Sequence, residues 1–101
     1  MSRIDTLKGF VATRAGDPFP RYALALEYRN AGRLEEARET FEALIAAHPA
    51  YTPSYLHAGN TLIALGRREE ARALYQRGIE ACVQAGDAHA RGELEGAIQA
   101  L

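Results

Sequence analysis

The sequence predicts an all-α fold: a stack of antiparallel helix hairpins, about five helices in all, with two full repeats flanked by single helices. Three observations predict it. The heptapeptide Gly32-Arg33-Leu34-Glu35-Glu36-Ala37-Arg38 returns 34 residues later as Gly66-Arg67-Arg68-Glu69-Glu70-Ala71-Arg72, with six of seven positions identical. Recurrence at that period marks an array in which each unit is one helical hairpin and neighbouring units supply the core. Apolar residues recur at spacings of three and four along most of the chain. Glycines and cap-then-proline pairs cut that periodicity into helix-length pieces. The 101 residues are read as a single domain, 1–101, of a size that becomes feasible when several helices share one core.

The first unit is 1–16, where Ile4, Leu7, Phe10 and Val11 share a helix face while Arg3, Asp5 and Lys8 point elsewhere. Ser2 is the candidate cap and Gly16 the candidate stop. Asp17-Pro18 then gives an N-cap followed by proline at the first helical position. Pro20 still falls in the first turn, where a missing N–H forfeits no intrahelical bond. The helix Pro18 to Asn30 is apolar on more than one face, through Phe19, Tyr22, Ala23, Leu24, Ala25, Leu26 and Tyr28, so it must be contacted from several sides. Gly32 ends it. Leu34, Ala37, Phe41, Leu44 and Ile45 define the next helix, with Glu35, Glu36, Arg38, Glu39 and Glu42 opposite and Pro49 marking its end. The connection at 30–33 is short enough to force these two helices into an antiparallel pair.

Thr52-Pro53 repeats the cap-then-proline signal ahead of Tyr55, Leu56, Ala58, Gly59, Leu62, Ile63 and Leu65, and Gly66 stops that helix. The following arm, Arg67 to Ala85, buries Ala71, Leu74, Tyr75, Gly78, Ile79 and Cys82, with Gly86 as its stop. Asp87 opens the last helix, whose Ala90, Leu94, Ala97, Ile98 and Leu101 lie on one face and whose Arg91, Glu93, Glu95 and Gln99 lie outside it. The expected units are 1–16, 18–51, 52–85 and a capping helix, 87–101. Along that last helix Ala88, Gly92, Gly96 and Ala100 recur every four residues. Each interior glycine costs a helix about 1 kcal/mol relative to alanine. The ridge therefore predicts another helix packed closely on it, either the 67–85 helix at Gly78 or a second chain, with fraying as the remaining explanation.

Composition and charge narrow the function classes. Acids and bases nearly cancel, 13 against 12, giving a formal charge of −1, so no long-range field attracts nucleic acid or an anionic membrane. Cys82 is the only thiol, which rules out an intramolecular disulfide and makes a reducing cytoplasm the expected location. The segment Met1 to Phe10 holds no signal-peptide core, and no uncharged apolar run approaches the roughly 20 residues that span a bilayer. Glu35, Glu36, Glu69 and Glu70 stand in first turns of helices, where carboxylates favour the macrodipole, and on a solvated face rather than in a cleft. His48, His57 and His89 lack metal-ligand spacing, and Cys82 falls on a buried face as an inert thiol. No glycine-rich phosphate loop is present. No catalytic, cofactor-binding or metal site is expected.

Tyr55, Ala58-Gly59, Leu62, Ala71 and Tyr75 in the second hairpin, with Leu24-Ala25, Tyr28, Ala37, Phe41 and Pro49 in the first, resemble the tetratricopeptide repeat across residues 18 to 85. The small residues Ala25, Gly59, Ala37 and Ala71 suit the crossing of two arms, and Phe41 and Tyr75 are large enough to fill the space between one hairpin and the next. Arg21, Gly78 and Val83 depart from the family pattern, and the last two predict that the helix ending at 85 runs a turn longer than its counterpart. The resemblance implies a right-handed superhelical stack whose first arms line a concave groove for an extended or helical peptide. It would put Phe19, Tyr22, Leu26 and Arg29, with Leu56, Asn60 and Ile63, on that surface. The flanking helices covering part of this set is the alternative. One subtype of the family clamps a carboxylate with Lys, Arg and Asn, but Tyr22 and Leu26 occupy the first-hairpin clamp positions here, with only His57 and Asn60 as polar substitutes in the second. The expected function is a non-catalytic interaction module or scaffold that binds a peptide segment of a partner in a mainly apolar groove. The alternative is a self-assembly module whose apolar surface forms a homodimer.

Overall fold

Most of the stops and caps in the sequence act on a backbone that is helical nearly throughout. The computed structural model describes residues 2–101, so Met1 of the expected first unit lies outside the described residues. Six helices run in order: α1 Arg3–Thr13, α2 Pro18–Asn30, α3 Leu34–Ala47, α4 Pro53–Ala64, α5 Arg68–Ala85 and α6 Ala88–Gln99. Two hairpins and two flanking helices already make six, so the expected five undercounts by one. The described residues contain no strand.

Three of the four expected N-caps operate through their side chains. Ser2 Oγ accepts from the Asp5 N–H at 3.1 Å, Asp17 Oδ1 from the Phe19 N–H at 3.0 Å, and Asp87 Oδ1 from the Ala90 N–H at 3.1 Å. Thr52 is the exception. Its backbone is already helical, with φ −61° and ψ −32°, and its side chain makes no cap bond to α4. The hydroxyl instead donates to Asp87 Oδ2 at 2.6 Å, tying the start of α4 to the cap of α6. Gly32, Gly66 and Gly86 take φ values of 78°, 76° and 69°, the left-handed geometry a glycine adopts without Cβ strain. Gly16 does not; α1 closes at Arg14, whose N–H donates to the Phe10 carbonyl at 2.8 Å. The expected extra turn is present, since α5 has 18 residues against 14 in α3.

Consecutive helices pack on one another, α2 with α3 and α4 with α5 as hairpins, and α4 also touches α2 and α6. Ala25, Ala37 and Ala71 are fully buried, which lets the arms approach closely. The Tyr75 ring enters a notch at Gly59 in its own hairpin, where a Cβ would stand 2.1 Å from Cε1. A Cβ on Gly78 would stand 2.5 Å from Tyr55 Cβ and 2.8 Å from Leu94 Cδ1. Helices α4, α5 and α6 therefore meet at that glycine. Docking of α6 on α5 is as expected, but the surface is not. Gly92 and Gly96 have no atom within 4 Å of a built Cβ, so the small-residue ridge faces solvent and α6 packs through buried Leu94.

Candidate functional site

Helix α4 lies between α2 and α6 and touches both. On α2, positions 19, 22, 26 and 29 follow helical spacing, and on α4 the residues 56, 57, 60 and 63 do the same, which gathers both sets toward the shared seam. Phe19 is 59% exposed and Ile63 39%, among the few large apolar side chains left in water. Asn60 is exposed, while Tyr22, Arg29, Leu26 and Leu56 are half-buried. Tyr22, Leu26 and Leu56 also pack against the core.

Tyr22 is the hub of this face. Its ring centroid lies 6.4 Å from Phe19, 5.5 Å from Tyr51 and 5.7 Å from His57, the last two in edge-on geometry. Burial, and then Tyr51, push the Tyr22 phenol above its usual range. Arg29 Nη1 reaches His57 Nδ1 at 3.4 Å. A guanidinium can only donate, so a hydrogen bond here requires the imidazole tautomer with its proton on Nε2. Burial, reinforced by Arg29, lowers the His57 pKa, with Glu93 on α6 opposing. Further along, Tyr75 Oη donates to Asn60 Oδ1 at 2.6 Å. Beside that pair a hollow of about 310 Å³ opens between α4 and α6, lined by Asn60, Ile63, Tyr75, Ala97, Ala100 and Leu101.

The structure thus joins Phe19 to Tyr22 and Arg29 to the α4 row, and sets Asn60 beside Ile63. Sequence reasoning did not include His57, Tyr51, Tyr75 or Glu93 in the set. His57 was detectable, three residues before Asn60 on the same helix face; Tyr51 lies in the connection before α4, where no periodicity marks it. A second hollow, about 330 Å³, lies on the opposite side of α4, with Ile45, Leu62 and Leu74 beneath Arg38, Glu42 and Arg77.

Cys82 is 1% exposed and burial raises its thiol pKa, which disfavours the thiolate. Glu36 and Glu70 are held below the usual carboxylate range by hydrogen bonds from Arg33 and Arg67, the wrong direction for a general acid. Among the described residues no group of three or more His, Cys, Asp or Glu could hold a metal ion, and no helix is long and apolar enough to cross a membrane.

A family model for the tetratricopeptide repeat matches residues 28–90. The crystal structure of a tetratricopeptide repeat domain protein from Salinibacter ruber is 35% identical over 82% of this chain and 93% of that one, with a TM-score of 0.77. A solution structure of a tetratricopeptide repeat domain protein from the same organism is 34% identical over 83% of this chain and 85% of that one, with a TM-score of 0.80. A Bordetella parapertussis protein shares the fold at 22% identity, with a TM-score of 0.83 over 99% of this chain and 87% of that one. No curated protein sequence matches the chain significantly.

Proposed function

Since the chain belongs to the tetratricopeptide repeat family, whose arrays generally mediate protein–protein contacts, we propose that it is a non-catalytic binding module that holds a partner segment along α2, α4 and α6. The observation that supports this reading is the exposure of Phe19 on α2 and Ile63 on α4, with the half-buried Tyr22 linking Phe19 to His57 on α4. Apolar side chains left in water on one continuous face mark interaction surfaces more often than scattered ones do. In this reading the groove comprises Phe19, Tyr22, Leu26, Arg29, Leu56, Asn60 and Ile63, and the protein works in the cytoplasm with Cys82 reduced.

The test begins with peptides selected from a random displayed library and measured by fluorescence polarisation. Phe19→Ser with Ile63→Ser should weaken the selected peptides at least tenfold while the helical circular dichroism signal stays unchanged. Unchanged affinity in that variant overturns the reading. The homodimer alternative rests on the same exposed surface. Light scattering decides between them: a mass near twice 11.0 kDa, reverting to the monomer value in the double variant, would assign the face to self-association instead.

A further inference from the structure

Helices α3 and α5 both pack on α4 but not on one another, which leaves the hollow of about 330 Å³ between them. We propose that this hollow binds a free aliphatic monocarboxylate, its chain on the apolar floor and its carboxylate on the Arg77 guanidinium. The site does not depend on the partner-binding reading above. Its α4 residues, Ala58 and Leu62, stand on the opposite side of that helix from Leu56, Asn60 and Ile63.

The floor is the edge of the core. Ile45, Ala58, Leu62 and Leu74 are all buried yet line the hollow. Ala46 on α3 and Ala73 on α5, both exposed, form the walls, and their short side chains keep the space open. At roughly 30 Å³ for a water-sized group, the hollow holds about eleven heavy atoms, the size of octanoate. Each methylene moved from water onto such a floor strengthens binding about fourfold.

The rim selects the head group. Four charged side chains stand on it, and three of them are already neutralised within the protein. Arg38 Nη1 donates to Glu42 Oε1 at 2.8 Å, and its Nη2 donates to Glu35 Oε2 at 3.0 Å. Glu70 accepts from Arg67 Nε at 2.6 Å and from Nη2 at 2.8 Å. Arg77 is the fourth, and among the described residues it forms no ion pair. A guanidinium without a carboxylate beside an apolar floor calls for an anion joined to an apolar chain, and its paired N–H groups match a carboxylate in two-point geometry. An ammonium would meet Glu42 and Glu70 only by displacing their arginines. One uncommitted cation suits a single negative charge.

The probe is octanoate, titrated into uniformly ¹⁵N-labelled protein. Saturable shifts are expected at the amides of Ala46, Leu62 and Ala73 and at Arg77 Nε–H. Octanol should bind at least fivefold more weakly and octylammonium at least tenfold. N-acetyl-leucine, which carries a carboxylate as a peptide C-terminus does but has a shorter branched side chain, should bind at least threefold more weakly. Arg77→Gln should reduce octanoate affinity at least fivefold while leaving octanol unchanged, and Ala73→Leu, which extends a side chain into the hollow, should weaken both at least tenfold. Both positions are exposed, so circular dichroism should show an intact fold; if Ala73→Leu unfolds, Arg77→Gln decides the matter. Octanol or octylammonium binding as tightly as octanoate overturns the site, and N-acetyl-leucine doing so overturns the assignment to a free acyl chain. Undiminished octanoate binding to either folded variant, shifts confined to Phe19 and Ile63, or absence of any saturable shift also overturns the proposal, and the library peptides judge the partner-binding face separately.

Discussion

Gly59→Ala adds a single methyl group, and its consequence can be worked from the notch it fills. The new Cβ would lie 2.1 Å from Tyr75 Cε1, 2.6 Å from Cδ1 and 2.8 Å from Cζ, where ordinary contact begins near 3.4 Å. The ring must retreat by about 1.3 Å. Retreat is opposed by its burial, at 2% exposed, and by the bond from its hydroxyl to Asn60 at 2.6 Å. Overpacking of this kind costs about 1–3 kcal/mol, and loss of the hydroxyl contact adds about 1 kcal/mol. Alanine returns about 1 kcal/mol of helix propensity. The net loss is about 1–3 kcal/mol, which for a domain of this size lowers Tm by about 5–20 °C. Urea melts followed by circular dichroism measure it. A Gly59→Ala protein as stable as the parent would refute the reasoning, because the steric and hydrogen-bond losses would then be no larger than the propensity gain of about 1 kcal/mol.

The same substitution should change sign on α6: Gly92→Ala and Gly96→Ala, with open space at both positions, should each add about 1 kcal/mol in urea melts, and a loss at either would mean that the ridge is covered. Lowering of the His57 pKa in the fold means that the unfolded chain takes the proton first. The associated stability is present above pH 6.5 and lost as pH falls through the folded value; His57→Gln should flatten that part of the stability–pH curve, and an unchanged curve counts against it. Asp87 is held below its usual range first by the Thr52 hydroxyl and then by the Ala90 N–H. Its contribution is present above the ordinary carboxylate pKa and lost as pH falls through the folded one. Thr52→Val should raise the Asp87 pKa in a carbon-detected NMR titration, and a fixed value would show that the cap alone sets it.

Local signals made the helices legible. The repeated heptapeptide fixed the phase of α3 and α5, and the glycines at 32, 66 and 86 adopt the stopping geometry expected of them. Face assignment was harder, because spacing says which residues share a stripe but not which stripe is covered. Gly92 and Gly96 recur as regularly as Leu94 and Ile98, yet burial belongs to the leucine stripe, whose larger apolar area dominates the docking of α6. At the candidate face the resemblance led to Tyr22, Asn60 and Ile63. Tyr75 was read as a space-filler, which its ring is, and that reading conceals a hydroxyl whose partner is 15 residues away in sequence. The Thr52–Asp87 bond spans 35 residues and leaves no periodic trace at either end.

Gly78 has a further consequence when compared with its counterpart 34 residues earlier, which is Leu44. Leu44 is fully buried, so a full side chain separates the helices at that junction, whereas at Gly78 Tyr55 and Leu94 close on bare backbone. Correspondingly, α6 lies against α4 and α5 more extensively than α4 lies against α2 and α3. The two repeats are therefore not interchangeable parts. Lengthening the array by copying residues 18–51 or by copying 52–85 would build rods of different pitch, and an engineer could tune that pitch by choosing which residue stands at this one position.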